Sequence, residues 1–322
     1  MMAGKTADES RDGVKLTHLD EPLFEGAGRV KRQLVDYLDA VSDRILPVLR
    51  DRPLSVIRAT GGQAPFMQKN LPKYTPEWVE RIPLWAEASK RTVAYALCND
   101  RRTLLWFANQ RAIEYHPTLA LAEHLDRATH LILDLDPPHA DAFDQAVAAA
   151  HLVHRALDDV GLAGAVKTSG AKGVHVFVPI TADVTMEDAA AATRAIARRA
   201  EQLDPRTATT AFLKADRDDK VFVDSTRSGG ATVVAAYSPR ARPGVPVSFP
   251  VAWADLDSVR PADFTIVDAV ERLGVRDPWA EAMPAPQALS ADVVAEGHEI
   301  PVARVAAMHE GKRRARAKRT EA

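Results

Sequence analysis

The stretch Leu131-Ile132-Leu133-Asp134-Leu135-Asp136-Pro137-Pro138 constrains what this chain can fold into more than any other. Its apolar residues read as a short buried strand, and the two prolines stop it. Two aspartates sit inside. A carboxylate in an apolar interior is costly unless something pairs with it, so the pattern asks for a cation. Residues two apart on a strand point the same way. Asp134 and Asp136 therefore share one face, with Cα atoms about 7 Å apart.

Further elements surround this strand. Val30, Leu34, Leu38, Val41 and Ile45 recur at helical spacing and predict a helix over 28–49, ended or kinked at Pro47. Residues 54–58 and 92–97 read as strands, and 118–125 as a short helix. Phe143, Val147, Ala150, Val153 and Leu157 line one face of a helix over 141–160, which Gly161 stops. Residues 165–168 read as a loop. Val174, Val176 and Val178 alternate in a strand over 173–179. Thr185 and Asp188 resemble a capping box opening a helix to about 202. Strands follow over 220–224 and 231–236. Mixed rather than strictly alternating elements argue for an α/β or α+β core with a partly antiparallel sheet.

Composition excludes several classes. The 322 residues suffice for one large domain or two modest ones, and a net charge of -2 gives no large field of either sign. Cys98 is the single cysteine, so neither an internal disulfide nor a Cys-rich zinc site is possible, and a reducing compartment is expected. No apolar run approaches the roughly 20 residues of a membrane span. Residues 1–20 are polar and lack the apolar core of a signal peptide; they read as a disordered leader. Residues 21–290 hold the folded part. Within 300–322, Lys312–Arg319 places six basic residues in eight positions. Such a tail is either solvated or a sequence-blind, salt-sensitive phosphate binder.

Three stretches carry chemistry. Asp134 and Asp136 can share divalent metals such as Mg²⁺ or Mn²⁺, which prefer oxygen ligands, and Asp224, ending the strand Val221–Asp224, is a candidate third ligand. The alternative is a turn cap followed by a proline bend. In Lys167–Pro179, Gly170 and Gly173 allow a tight turn, while Ser169, Lys172 and His175 add a hydroxyl, a cation and an imidazole. That is a candidate phosphate cradle, though not a Walker A loop, and the alternative is an ordinary polar turn with a surface histidine. Arg227, Arg240 and Arg242 lie within 224–253, and arginine forks suit triphosphate oxygens; a solvated arginine pair is the plainer reading.

Taken together, D-L-D-P at 134–137, S-G-x-K-G-x-H at 169–175, V-F-x-D at 221–224 and Y-S-x-R-A-R-P-G at 237–244 resemble one family: the polymerase domain of bacterial ATP-dependent DNA ligase D, in the archaeo-eukaryotic primase superfamily. Phe66–Val79 and the E-x-H of residues 112–120 also match, and the resemblance covers about residues 20 to 285. It implies a single catalytic domain with primase-type mixed sheets flanked by helices. It implies that Asp134, Asp136 and Asp224 hold Mn²⁺ or Mg²⁺, two ions, in a template-directed nucleotidyltransferase. Ser169, Gly170, Lys172, His175, Arg227, Arg240 and Arg242 correspond to nucleotide-binding positions. His116 corresponds to a histidine near the catalytic centre. Phe66 and Lys69 fall where the family meets DNA, and an aromatic there can stack on a base without sequence preference. For Phe66 plain core packing stands beside that reading.

The resemblance further implies gap or end filling in DNA end-joining repair, with DNA ends or gapped duplex and NTP or dNTP as substrates. A Ku-like end-binding protein and a separate ligase are the implied partners, and the bacterial cytoplasm at the nucleoid the implied location. The chain reads as a stand-alone paralogue. It departs from the pattern at Ser225 and Ser228, where the family has an aromatic residue and an asparagine, and at 59–62, where Ala-Thr-Gly-Gly replaces a Tyr-Pro-Asp-Gly tied to the DNA end. Three rival functions stand beside it. A haloacid-dehalogenase phosphatase would continue its D-x-D motif with Thr or Val, whereas Pro137 follows here. A non-catalytic nucleic-acid-binding relative would have no need of all three aspartates. A primase proper would use the same site.

Overall fold

The structure, a computed structural model, describes residues 9–60, 64–86 and 90–302. The chain forms two compact units interleaved in sequence. One comprises the chain up to Glu123 with 232–249 and 260–278, and the other 124–231, 250–259 and the chain from Trp279 onward.

The first unit begins with a hairpin of β1 (Glu9–Arg11) and β2 (Val14–Leu16). The expected disordered leader over 1–20 is thus corrected from residue 9 onward. Asp12 and Gly13 both have positive φ, 48° and 73°, as a two-residue Asp-Gly hairpin turn requires. Val14 and Leu16 are buried, and Arg11 pairs with Asp36 and Asp39. Polar composition hid a turn signal that these contacts exploit. Residues 1–8 and the basic run 312–319 lie outside the described residues.

Instead of one helix over 28–49 there are two, α1 (Lys31–Ala40) and α2 (Ser42–Leu49), separated at Val41, with Pro47 inside the second. Then come β3 (Leu54–Arg58), β4 (Phe66–Gln68), β5 (Arg81–Ala86), β6 (Arg91–Ala96), α3 (Arg101–Asn109) and β7 (Ala112–Pro117). The sheet order is β4-β3-β6-β5, with β7 also pairing β3. Asp100 caps α3 by accepting from the Thr103 amide at 2.6 Å. No helix forms over 118–125. The Thr118 hydroxyl donates to the Ala120 carbonyl, and the Ala122 amide to the Asp51 carbonyl, so the segment is held in turns. Nor do residues 231–236 form a strand; Thr232 makes one isolated bridge to Thr118.

The second unit contains β8 (His130–Asp136), α4 (Phe143–Asp158), β9 (Ala165–Thr168), β10 (Val174–Pro179), α5 (Met186–Leu203), β11 (Ala208–Thr209), β12 (Val221–Asp224) and β13 (Pro250–Val251). Its sheet runs β11-β12-β8-β10-β9-β13, antiparallel except for the β11–β12 pair. The apolar face of α4 is buried as its periodicity predicts. Thr185 caps α5, accepting from the Asp188 amide at 3.1 Å. Residues 165–168, read as a loop, are a fully interior strand; a lysine at its third position masked the β signal. Mixed sheets flanked by helices are thus the architecture expected. No helix among the described residues is long and apolar enough to cross a membrane.

In the first unit Lys31 is only 2% exposed, and its ammonium donates to the Thr17 carbonyl and the Asn109 side chain. Burial, aided by the Arg111 charge, pushes its pKa down to about 8 from an ordinary 10.5. Between these values the unfolded chain keeps a proton that the folded chain has lost, so stability contributed by this group rises with pH. Urea unfolding of wild type and Lys31→Met from pH 7 to 10.5 should therefore show the difference growing in favour of wild type above pH 8. A difference constant across that window would refute the shifted lysine.

Candidate active site

Register places four polar residues in one row across the second unit's sheet. Lys167 of β9 pairs with His175 of β10, His175 with Asp134 of β8, and Asp134 with Asp224 of β12. Directly opposed residues share a face, so these side chains adjoin in sequence of strands. All four are buried. Lys167 Nζ lies 2.8 Å from His175 Nδ1, and His175 Nε2 lies 3.2 Å from Asp134 Oδ1. Arg227 closes the other end. Its Nε is 3.2 Å from Asp134 Oδ2 and 3.4 Å from Asp224 Oδ2, so one guanidinium spans both carboxylates. The Thr226 amide and hydroxyl donate to Asp224 Oδ1 at 2.8 and 2.6 Å.

Asp136, two residues along β8, is half-buried. Lys172 Nζ stands 3.9 Å from its Oδ1 and donates to the Pro137 carbonyl at 2.7 Å. The turn before β10 brings Lys172 there. A Cβ at Gly173 would lie 2.2 Å from the Leu135 carbonyl oxygen, so only glycine lets this turn lie against β8. Gly170 takes φ of 65° in the same turn. The Ala171 and Gly173 amides donate to Ser169 Oγ at 3.2 and 3.0 Å. These two amides are thus spent inside the turn rather than standing open as a phosphate cradle, and Lys172 carries its outward charge. His175, considered above as a surface side chain, is 5% exposed.

Burial pushes the Asp134 carboxyl up, but the His175 ring, the Arg227 guanidinium and the Lys167 ammonium outweigh it and hold the group well below the usual carboxylate range. Asp136 goes the other way. Burial and the Asp134 charge raise it, Asp224 adds to this, and Lys172 and Arg227 offset only part. Asp136 is therefore the carboxylate of the cluster least stabilised as an anion, chiefly through burial. Among the described residues no three His, Cys, Asp or Glu side chains converge into a ready metal shell. The donor set nonetheless suits a hard divalent cation: three carboxylates on adjacent strands, all of them oxygen donors. Arg227 bridges the Asp134 and Asp224 oxygens that such a cation would take.

The remaining residues singled out in the sequence belong to the first unit. His116 Nε2 lies 2.8 Å from the buried Glu114 Oε2; Arg240 Nε reaches the same oxygen at 3.0 Å, and the Ala241 amide donates to Glu114 Oε1 at 2.9 Å. Burial pushes Glu114 up, but these partners hold it below its ordinary range. Arg242 is exposed just beyond. Phe66 is 41% exposed on β4, which removes the core-packing reading, and Lys69 follows it on the surface.

Reading the sequence by motif gave no role to Lys167, Thr226 or Glu114, although Glu114 opens the matched E-x-H. Glu114 was legible, since i and i+2 on a strand share a face with His116. Lys167 was legible only with β9 recognised. Ser228, one of the departures from the family pattern, is fully buried; its Oγ accepts from the Ile132 amide at 3.0 Å and from Thr193 Oγ1 at 2.9 Å. It ties the turn carrying Arg227 to β8 and α5. Of the departure at 59–62, residues 61 and 62 lie outside the described residues.

The family described as LigD, primase-polymerase domain, matches residues 30–279. The bifunctional non-homologous end joining protein LigD of Bacillus subtilis is 33% identical over 265 residues, covering 81% of this chain and 42% of that protein. The multifunctional non-homologous end joining protein LigD of Mycolicibacterium smegmatis is 31% identical over 253 residues, covering 77% of this chain and 33% of its own length. The chain thus spans less than half the length of these relatives. Among solved structures, the polymerase domain from Mycobacterium tuberculosis ligase D in complex with DNA superposes with a TM-score of 0.75 at 29% identity, over 83% of this chain and 96% of that one.

Gly173→Ala should destabilise the protein by about 3 kcal/mol or more, because backbone would have to move to admit the methyl group. Equilibrium urea unfolding checks this. A change below about 1 kcal/mol would mean that the turn lies further from β8 than the 2.2 Å approach implies.

Proposed function

The chain belongs to the LigD primase-polymerase family, and from that premise we propose that it is a template-directed nucleotidyltransferase extending primers at DNA gaps or ends. The observation that carries this is the row of buried carboxylates on β8 and β12, held by Arg227 and His175 beside the cationic Lys172. The family is metal-dependent. Asp134, Asp136 and Asp224 would hold the divalent ions, Mn²⁺ or Mg²⁺, two in this reading. Bound there, the metal supplies activation of a primer 3′-hydroxyl and neutralises triphosphate charge.

The protein's own side chains do the rest. Lys172, on a turn fixed against β8, offers a point charge to a phosphate group. His175 can donate through its ring to the same anionic surroundings. The Ser169 hydroxyl and Gly170 shape that turn. In the first unit Glu114 orients His116 and Arg240, while Arg242 extends a fork-shaped donor suited to phosphate oxygens. Exposed Phe66 offers a stacking face and Lys69 a backbone contact, in keeping with DNA as the ligand. The relative solved in complex with DNA supports DNA as the ligand, and a duplex end or gap is the form proposed. A Ku-like end-binding protein and a ligase that seals the filled end complete the proposed end-joining role.

Primer extension on a 5′-phosphorylated gapped duplex with Mn²⁺ tests the proposal, with rNTPs and dNTPs compared. Wild type should extend the primer, and the comparison sets its sugar preference. Asp134→Ala/Asp136→Ala should lose at least about 10³-fold of the rate, as expected when the groups stabilising transition-state charge are removed. Lys172→Ala should raise the nucleotide KM about tenfold while kcat changes less. Retained DNA binding without extension by wild type would instead favour a non-catalytic nucleic-acid-binding relative.

A further inference from the structure

We propose that Tyr74 is a second stacking residue for unpaired DNA bases on the first unit, and that Arg58 is the positioning residue that holds its ring in place. This rests on DNA as the ligand proposed above, and the experiment below separates the two.

Residues 54–76 include Arg58, Lys69 and Lys73 but no aspartate or glutamate, in a chain where acidic residues outnumber basic ones, 44 to 42. The segment thus carries uncompensated positive charge, which suits a phosphate backbone. Two of its exposed side chains are aromatic rings: Phe66 on β4, and Tyr74, which is 62% exposed. A turn puts Tyr74 there. The Thr75 amide and hydroxyl both donate to the Pro72 carbonyl, at 3.0 and 2.7 Å, so Lys73 and Tyr74 occupy the two central positions. Leu71 and Thr75 on either side are buried and anchor the turn, while Lys73 and Tyr74 face solvent.

Arg58 then fixes the ring. It is 8% exposed, yet among the described residues its guanidinium donates only to neutral oxygens. Its Nε reaches the Gln110 carbonyl at 2.8 Å and its Nη2 reaches Gln110 Oε1 at 3.2 Å. Its Nη1 reaches Gln68 Oε1 at 2.7 Å and the Tyr74 hydroxyl oxygen at 3.1 Å. A guanidinium is a planar fork, so the hydroxyl it holds is fixed relative to β3. Arg58 also opposes Phe66 across the β3–β4 ladder and shares its face. One buried cation thus ties both rings to the same strand end, one through register and one through a hydrogen bond. A ring set in place before binding loses less freedom when a base stacks on it.

The occupant follows from the chemistry. In a duplex each base face is covered by its neighbour. Only an unpaired strand offers bases to two aromatic faces set among cations, and such stacking accepts any base. An acidic peptide would meet the same cations but bring no base to the rings.

The experiment measures Kd by fluorescence anisotropy for a short end-labelled oligothymidylate and for an abasic strand of the same length and charge. The ratio of the abasic to the oligothymidylate Kd isolates what the bases contribute. Wild type should favour the oligothymidylate. Tyr74→Ala should lower the ratio about tenfold, as expected for one lost stacked base. Arg58→Met should lower it too, and should add nothing to the loss in a Tyr74→Ala background, because Arg58 acts through the ring. An unchanged ratio in folded Tyr74→Ala would overturn the proposal. So would an Arg58→Met effect that persists in full without the ring. If Arg58→Met fails to fold, Tyr74→Phe keeps the ring and removes its anchor; a wild-type ratio in that variant would overturn the role of Arg58. Equal binding of both strands by wild type would mark the face as a charge site only and overturn the proposal. A ratio that depends on Tyr74 in a protein that extends no primer would uphold the proposal and sink the polymerase reading alone. Primer extension by a wild type whose ratio does not depend on Tyr74 would do the reverse.

Discussion

The second unit is organised around one carboxylate placed where carboxylates are expensive. Asp134 occupies an interior strand, flanked by β10 on one side and β12 on the other. Its charge survives because three cationic or donor groups reach it from separate segments: His175 from β10, Arg227 from the turn after β12, and Lys167 behind the histidine. Each is itself held. Ser228 anchors the turn that carries Arg227, and the absence of a side chain at Gly173 lets the loop before β10 lie against β8. The apolar core of this unit is thus threaded by a polar network whose members depend on one another.

Asp134 and Asp136 share a strand and a face yet differ in state. The deeper residue is the more acidic, which reverses the order that burial alone would give. The His175 ring, the Arg227 guanidinium and the Lys167 ammonium decide the contest at Asp134, whereas at Asp136 burial leads and the two other carboxylates add to it. This asymmetry is in keeping with the proposed divalent-cation site: one carboxylate stands ready as an anion, and a bound cation would stabilise the other.

The first unit uses the same device on a smaller scale. Glu114 gathers a histidine two residues away on its own strand and an arginine and a backbone amide from a segment more than a hundred residues further on. In both units a buried acid fixes the basic groups that the motifs point to. Those basic groups are therefore oriented before any ligand is present.

Much of this was legible in the amino-acid sequence. The largely apolar run 131–136 with its two aspartates and the Val174–Val178 alternation determined the central strands, because side-chain period and burial are local properties. Motif order determined the family and nominated Asp134, Asp136, Asp224, Lys172 and His175. Other features were hidden locally. The Asp12-Gly13 turn lay in a polar segment, and β9 was concealed by its lysine. Likewise, 231–236 had strand composition yet met only an isolated bridge. Tertiary structure alone decided that Lys167, His175, Asp134 and Asp224 stand in one row, since four separate strands supply them. The physical reason is register. A sequence states which residues alternate along a strand, but which residue they oppose is set only when the strands pair.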